Sequence, residues 1–371
     1  TAGSSFGTLK IDTASVLTTA DFLTLRSDAN GTARIDSIPV NGSGAALGTN
    51  SGKITVEHYL PMNINWDSRR WRLIGAPVST TGAPTLKEAW QEGATPTPAT
   101  TSATSVTSIY NPFPTYGTHI TNGAGSTNNG NGFDAGSTNN PSIYKMEPGV
   151  GSWSAPSTTG SPITNYGAYM IFVRGDRSII VSNPYINTTG GANLRVKGNM
   201  NVGNVSKSIL AGKQVLSNPY ASSISLNKVL YNGSAFGADN TKKYYLWDPK
   251  LWGSKNVGSW VTFSSNGNNT YLYVPSPIDS GYMSSYGTTG LIESGGAFLI
   301  NAPASGSLVF HESDKIANST TVGLASRPVQ NRPINSLSIL YTNLAYRNAV
   351  DDPILADGVA TVYADEYYNE V

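Results

Sequence analysis

Apolar and polar positions alternate with period two along most of this chain. Leu9-Lys10-Ile11-Asp12 and Phe22-Leu23-Thr24-Leu25-Arg26-Ser27 show it early, each run soon broken by Asp, Asn or Gly. Such alternation places one face of a strand in a core and the other in water, and the breaks come too often for helices. From Ile54-Thr55-Val56-Glu57-His58-Tyr59-Leu60 onward the runs lengthen and aromatic residues enter. Trp71-Arg72-Leu73-Ile74 predicts a buried strand, ended at Gly75-Ala76-Pro77 because proline cannot donate to a ladder. Tyr169 to Val173 and Tyr271 to Val274 predict further strands, and Arg174-Gly175-Asp176-Arg177 predicts a tight hairpin turn built on its glycine. The best helical segment is Thr85 to Trp90, with Thr85 as N-cap and Glu88 completing a capping box.

The pattern also repeats at long range. Trp71-Arg72-Leu73-Ile74-Gly75-Ala76-Pro77 is followed by Tyr144-Lys145-Met146-Glu147-Pro148, Gly151-Ser152-Trp153, Gly167-Ala168-Tyr169-Met170-Ile171 and Ser178-Ile179-Ile180-Val181. Val215-Leu216-Ser217-Asn218-Pro219 is followed by Tyr245-Leu246-Trp247-Asp248-Pro249, Gly258-Ser259-Trp260, Gly296-Ala297-Phe298-Leu299-Ile300 and Ser307-Leu308-Val309-Phe310. Blocks recurring in one order mark an internal duplication of a β-rich unit. The expected fold is all-β: tandem β-sandwich-like units, preceded by a short strand-rich leader.

Four segments follow from this. Residues 1–53 form the leader, read either as rungs of a solenoid edge or as a hairpin pair capping the next unit. Residues 54–212 form the first β unit, and 213–321 the duplicated second. Residues 322–371, with strands at Leu337 to Tyr341 and Gly358 to Tyr363, read as the start of a further β domain, incomplete as supplied. The first unit carries a long polar insertion at 93–142, where Gly93 to Val106 is mostly Thr, Ala, Pro and Ser, and Asn122 to Asn140 mostly Asn, Gly, Ser and Thr. Such composition buries too little apolar surface to offset chain entropy, so a surface excursion is expected.

Composition narrows the classes. With 371 residues the chain can bury one large or two medium cores. Charged residues are 13% and net charge is +1, against about 25% charged in an average globular chain. No dense Lys/Arg patch supports a nucleic-acid partner. The absence of cysteine removes disulfides, thiolate metal sites and thiol nucleophiles together. No apolar run reaches the ~20 residues that span a bilayer. Thr1 opens without the basic and apolar regions of a signal peptide, as expected of a mature or trimmed product.

Candidate chemistry is sparse. His58, His119 and His311 lie in unrelated segments, without metal-ligand spacing, and no Gly-x-Ser-x-Gly elbow is present. Glu147 and Asp248 occupy matching places, but an acid before proline ordinarily shapes a turn. Asp351-Asp352-Pro353 and Asp357-Gly358 offer oxygen ligands for an incidental calcium ion without the alternation of a dedicated loop. No cofactor, metal site or enzymatic centre is expected. Of the seven tryptophans, Trp153 and Trp260 are twins across the repeat and read as core, while Trp252 has no twin and is the candidate for stacking on a glycan ring.

Ile54 to Pro61, Arg70 to Val78, Gly167 to Arg177, Ser217 to Ser222 and Tyr245 to Pro249 resemble blocks shared by large secreted surface proteins of the Bacteroidota phylum. Such proteins leave by the type IX secretion route and carry a C-terminal sorting domain, which this chain lacks. The resemblance implies an extracellular, β-rich, adhesin-like protein at the cell surface, and transfers no catalytic residue. Asp12-Thr13-Ala14 and Asp36-Ser37-Ile38 resemble the O-glycan acceptor of these bacteria, which makes Thr13 and Ser37 candidate glycosylation sites. The expected function is structural or adhesive, with self-association into fibres by strand pairing or contact with other surface proteins. The alternative is a carbohydrate-binding module of a polysaccharide-processing protein.

Overall fold

The computed structural model describes residues 7–29, 31–61, 69–79, 84–94, 116–124, 130–136, 140–179, 191–232, 242–249, 258–265, 271–274, 290–316, 338–347 and 353–363. Strands dominate it, with two short α-helices, so the fold is all-β.

The leader contains β1 (Thr8–Leu9), β2 (Val16–Thr18) and β3 (Leu23–Leu25), then a tight antiparallel pair, β4 (Ser27–Asp28) and β5 (Gly31–Thr32). It continues through β6 (Arg34–Ile35) and β7 (Thr49–Ser51) into β8 (Lys53–Leu60). β1 pairs with β6, β2 with β7 and β3 with β8, all in parallel. Parallel partners need a crossover between them, so the leader is two stacked coils and not a pair of hairpins. Ile11 and Leu25 of the first coil meet Ile35, Ile38, Ile54 and Val56 of the second inside the coil, in the same apolar cluster as the first repeat.

The first repeat runs through β9 (Arg70–Gly75), α1 (Leu86–Trp90), β10 (Thr121–Ala124), β11 (Asp134–Gly136), β12 (Ile143–Met146), β13 (Trp153–Ser154), β14 (Ala168–Val173) and β15 (Ala192–Asn199). The second runs through β16 (Val205–Ile209), β17 (Gly212–Ser217), β18 (Ile224–Ser225), α2 (Leu226–Asn232), β19 (Lys243–Asp248), β20 (Ser259–Ser265), β21 (Tyr271–Val274), β22 (Leu291–Ile292), β23 (Ala297–Ala302) and β24 (Gly306–Phe310). A separate antiparallel hairpin, β25 (Ser338–Arg347) and β26 (Pro353–Tyr363), follows. The first sheet has the order β13-β12-β14-β9, and the second has β21-β20-β19-β23-β17. The duplicated blocks therefore occupy the same places, β9 matching β17, β14 matching β23, β12 matching β19 and β13 matching β20. Each repeat is flanked by an antiparallel ladder, β8 with β15 and β16 with β24.

Both faces of each sheet are covered. Ile74, Tyr169, Ile171 and Ile143 face the first core, while Leu216, Phe298, Ile300, Tyr244 and Val261 face a second. The alternate residues of the same strands form a third cluster between the sheets: Leu73, Met146, Ala168 and Met170 against Val215, Ala297 and Leu299. Trp71, Tyr144, Trp153, Tyr245, Trp247 and Trp260 pack around it.

A reciprocal set of hydrogen bonds joins the repeats. Gly75 N donates to Gly295 O at 3.0 Å, and its counterpart Ser217 N donates to Tyr166 O at 3.1 Å. The carbonyls of residues 213 and 71 each accept from the opposite repeat, from Gly149 N at 2.9 Å and from Trp247 Nε1 at 2.8 Å. The two acceptors Tyr166 and Gly295 share a left-handed backbone, φ 56 and 76. Tyrosine rarely adopts it, and here the bond to Ser217 and the packing around it impose it.

Three expectations need correction. The insertion 93–142 is not wholly a surface excursion: Ile120 and Phe133 are core residues, and Thr118, His119 and Asp134 are buried. Arg174 to Arg177 closes no hairpin, because Arg177 turns into the interior towards Asp134. Ser178 and Ile179 consequently lie outside any strand, and β15 takes the place that β24 holds in the sister repeat. The predicted helix at Thr85 is present, its capping box closed by Thr85 and Glu88. α2 was not foreseen, although Leu226, Val229 and Leu230 have helical spacing and are fully buried.

Gly75 sits where the repeats touch. A Cβ there would lie 2.2 Å from Ser217 Cβ and 2.7 Å from Gly167 O. Gly75→Ala is expected to lower stability by about 2–3 kcal/mol through overpacking, read from urea unfolding, with Ser217→Gly in the same chain recovering part of the loss.

Candidate functional site

Sites that could do chemistry are sought where titratable groups are buried together, since there their proton affinities are displaced. The first repeat holds two such groups at the end of α1, whose last turn delivers consecutive side chains inward. Gln91, the C-cap, sends Nε2 to Asp134 Oδ2 at 2.8 Å. Glu92, at φ 57, turns its carboxylate to Arg195, with contacts at 2.8, 3.0 and 3.1 Å. The Arg195 guanidinium carbon lies over the Tyr116 ring, 3.9 Å from its centroid. Burial, followed by the nearby Glu57 carboxylate, pushes the Tyr116 hydroxyl up from its ordinary range.

Asp134 is the more saturated carboxylate. Arg177 grips both its oxygens at 2.9 Å, and Ile120 N donates at 2.9 Å beside the Gln91 amide. His119 Nδ1 stands 3.8 Å away, and its Nε2 is 3.0 Å from Arg177 O. Burial alone would raise this carboxyl, but the neighbouring His119 and the Arg177 charge outweigh it and hold Asp134 far below the usual carboxylate range. A carboxylate so held is a poor proton donor or acceptor near neutrality. Every group in it, Asp134, Arg177 and His119, is fully buried. The cluster anchors the insertion against α1 and the segment after β14.

A third cluster ties the leader to the second repeat. Glu312 accepts from Ile38 N and Gly203 N, both at 2.9 Å, and pairs with Lys315 Nζ at 2.7 Å. Arg34 Nη1 donates to Ile316 O at 2.7 Å, Ser37 Oγ to Glu312 O at 2.8 Å, and Ile35 N to Ala221 O at 2.9 Å. Burial pushes the Lys315 ammonium below its ordinary range, against the pull of Glu312.

The residues singled out in the sequence do not converge. Thr13 is exposed, in the turn after β1 where Ser15 N donates to Asp12 O at 3.1 Å. Ser37 lies at the surface too, but its hydroxyl is engaged by Glu312 O. Trp252, Asp351 and Asp352 lie outside the described residues, and Asp357 lies within β26. Glu147 is exposed while its twin Asp248 is fully buried. His58 sits 3.5 Å from Glu293 across the repeats, and His311 3.5 Å from Asp314. Trp153 and Trp260 lie half-buried at the seam between the sheets, Trp260 edge-on to Trp247 at 5.3 Å. Among the described residues, no group of three or more His, Asp or Glu side chains is arranged to hold a metal ion. Sequence reasoning missed Asp134 with Arg177 and Glu92 with Arg195, whose partners lie 43 and 103 residues apart. No spacing rule connects such pairs.

Compared with known protein families, curated proteins and solved structures, the chain matches none.

Three outcomes follow from these clusters. Arg177→Ala, which leaves a buried carboxylate uncompensated, is expected to cost about 3–5 kcal/mol in denaturant unfolding. An unfolded aspartate takes up its proton near pH ~4, whereas Asp134 in the fold resists until well below that. Its contribution is therefore present above about pH 4 and lost progressively as pH falls further, so Asp134→Asn should flatten the acid limb of the stability profile. Glu312→Gln is expected to speed amide exchange at residues 34–38 while the strands between the repeats stay protected, measured by hydrogen exchange.

Proposed function

We infer that this chain is an extracellular structural or adhesive surface protein, of the kind its resemblance to exported Bacteroidota proteins implies. The observation that carries the reading is the double burial of both repeat sheets. A sheet packed on both faces and cross-bonded to its sister is a stiff spacer, and the buried carboxylates of its core are committed to guanidinium, ammonium and backbone donors. Polar loops and strand edges are what such a spacer offers its surroundings. Edge strands are templates for pairing with a neighbouring chain, and assembly into a surface fibre is the extended form of this reading. The type IX route and O-glycans on Thr13 or Ser37 belong to the same proposal. Of the two, Thr13 stands free for a glycan, whereas one on Ser37 would displace its bond to Glu312.

The carbohydrate-binding reading rests on Trp252, since Trp71, Trp153, Trp247 and Trp260 are engaged in the seam between the sheets. Electron microscopy of native surface material, combined with glycan-array binding of the purified chain, separates the two. Ordered assemblies carrying this chain, without glycan retention, are the expected result. Retention on a defined glycan that disappears in Trp252→Ala would overturn the structural reading.

A further inference from the structure

Between β6 and β7 the chain makes a loop closed by an antiparallel bridge of Val40 with Ala46. Asn41 N donates to Ala45 O and Gly44 N to Asn41 O, both at 2.9 Å, and Leu47 N donates to Pro39 O at 2.7 Å. The Asn41 side chain is folded into the same loop. Its Oδ1 accepts from Ser43 N and Ala45 N at 3.0 Å and from Ser43 Oγ at 2.7 Å.

The ring closed by the Ser43 N bond runs through the Asn41–Gly42 peptide, so the carboxamide is folded back towards Gly42 N. Three donors on one carbonyl oxygen polarise it and stabilise negative charge that develops there. Glycine leaves the opposing nitrogen open. A Cβ on Gly42 would meet nothing within 4 Å, and among the described residues no acceptor engages Gly42 N. Asn41, Gly42 and Ser43 are all exposed, which admits water and hydroxide.

The other Asn-Gly pairs with both residues described are held differently. Asn122 lies in β10 and commits its Nδ2 to Pro156 O at 3.2 Å. Asn131 and Gly132 are pinned through their carbonyls, which accept from Thr159 N, Thr158 Oγ1 and Gln91 Nε2. Only at Asn41 do donors gather on the side-chain oxygen, among these three.

We propose that Asn41 is a self-modifying site, where the loop's own groups convert the asparagine to aspartate and isoaspartate through a succinimide. Hydroxide takes the Gly42 amide proton, and the nitrogen forms a new bond to Asn41 Cγ while the displaced electron pair moves onto Oδ1, under its three donors. The Cγ–Nδ2 bond then breaks, and the nitrogen leaves as ammonia with a proton from water. A second water opens the ring at either carbonyl, giving an aspartate side chain or a main chain routed through Cβ. Only water is consumed and only ammonia released.

The position of the loop gives this conversion a structural effect. Gly44 O accepts from Asn204 N at 2.8 Å, and a Cβ on Gly203 would lie 2.9 Å from both Gly44 O and Ala46 N. The loop therefore rests on the residues that lead into β16, beside the bond from Gly203 N to Glu312. Isoaspartate lengthens the main chain by one methylene between residues 41 and 42. That shift parts Asn41 O from Gly44 N and loosens the seat of the loop on Asn204.

Incubation of the purified full chain in mildly alkaline buffer tests it, with timed samples digested, their peptides weighed, and isoaspartate detected by enzymatic methylation. Asn41 is expected to convert before Asn122 and Asn131, and faster in the folded chain than in a synthetic peptide of residues 37–48. Ser43→Ala removes one donor from Oδ1 and is expected to slow the reaction about tenfold, the worth of a hydrogen bond to a charged group. Gly42→Ala fits the open space around Gly42 and is expected to slow it by at least as much, because a side chain restricts the rotation that ring closure needs. Neither substitution is expected to move the thermal midpoint. Amide exchange at Ala45 and Asn204 is expected to quicken in the converted protein, and unchanged exchange would overturn the loosening of the loop. An Asn41 that stays intact, that converts no faster than in the peptide or after Asn122 or Asn131, or whose rate ignores both substitutions would overturn the proposal.

Discussion

The repeats are held by backbone groups that each surrenders to the other. Carbonyls at residues 71 and 213 accept from the opposite repeat, and amides at 75 and 217 donate to it. This places β9 and β17 at a local two-fold axis and fixes their register, because a shift of one residue would turn Leu73 and Val215 away from the shared seam and Ile74 and Leu216 out of their own cores. Every strand near the axis must therefore satisfy two apolar environments with alternate residues. That demand explains why Trp71 to Ile74 reads as a nearly unbroken apolar run, only Arg72 intervening, whereas the leader strands alternate.

A chain with 13% charged residues still places Asp134, Glu92, Arg177, Arg195, Glu312 and Lys315 in its interior. Replacing such pairs with apolar residues is often neutral for stability, so their value lies in what they position. Asp134 collects donors from the residue that caps α1, from the strand-like stretch at Ile120 and from the segment after β14. The Asn/Gly-rich insertion has few apolar side chains to dock with, and a saturated carboxylate supplies the specificity that packing cannot. Glu312 does the same for the leader, gathering Ile38 N, Gly203 N and the Lys315 ammonium at one carboxylate.

Much of this fold was legible because its signals are local. Alternation gave the strands, Thr85 with Glu88 gave α1, and the recurring blocks gave two sheets with the same strand order. What was hidden depends on contacts between distant residues. Phe133, Asp134 and Ala135 are a short buried stretch inside an Asn/Gly/Ser run, and composition averaged over that run concealed them. Arg177 looked like part of a turn because Gly175 precedes it, yet a buried carboxylate 43 residues away decides its direction. The choice between solenoid rungs and hairpins for the leader could not be made from strands of two or three residues, since parallel and antiparallel pairing use the same alternation. Parallel pairing is set by the three-dimensional stacking of β1 on β6, β2 on β7 and β3 on β8, the last of which is also paired with β15 on its other side.

The shortness of the leader strands also bears on how strongly their edges can recruit anything. Two or three residues offer one or two outward donors per strand, and short edges are among the devices by which β-proteins avoid uncontrolled pairing. Backbone bonds alone at such an edge, each worth about 0.5–1.5 kcal/mol net, would not offset the loss of translational and rotational freedom on association.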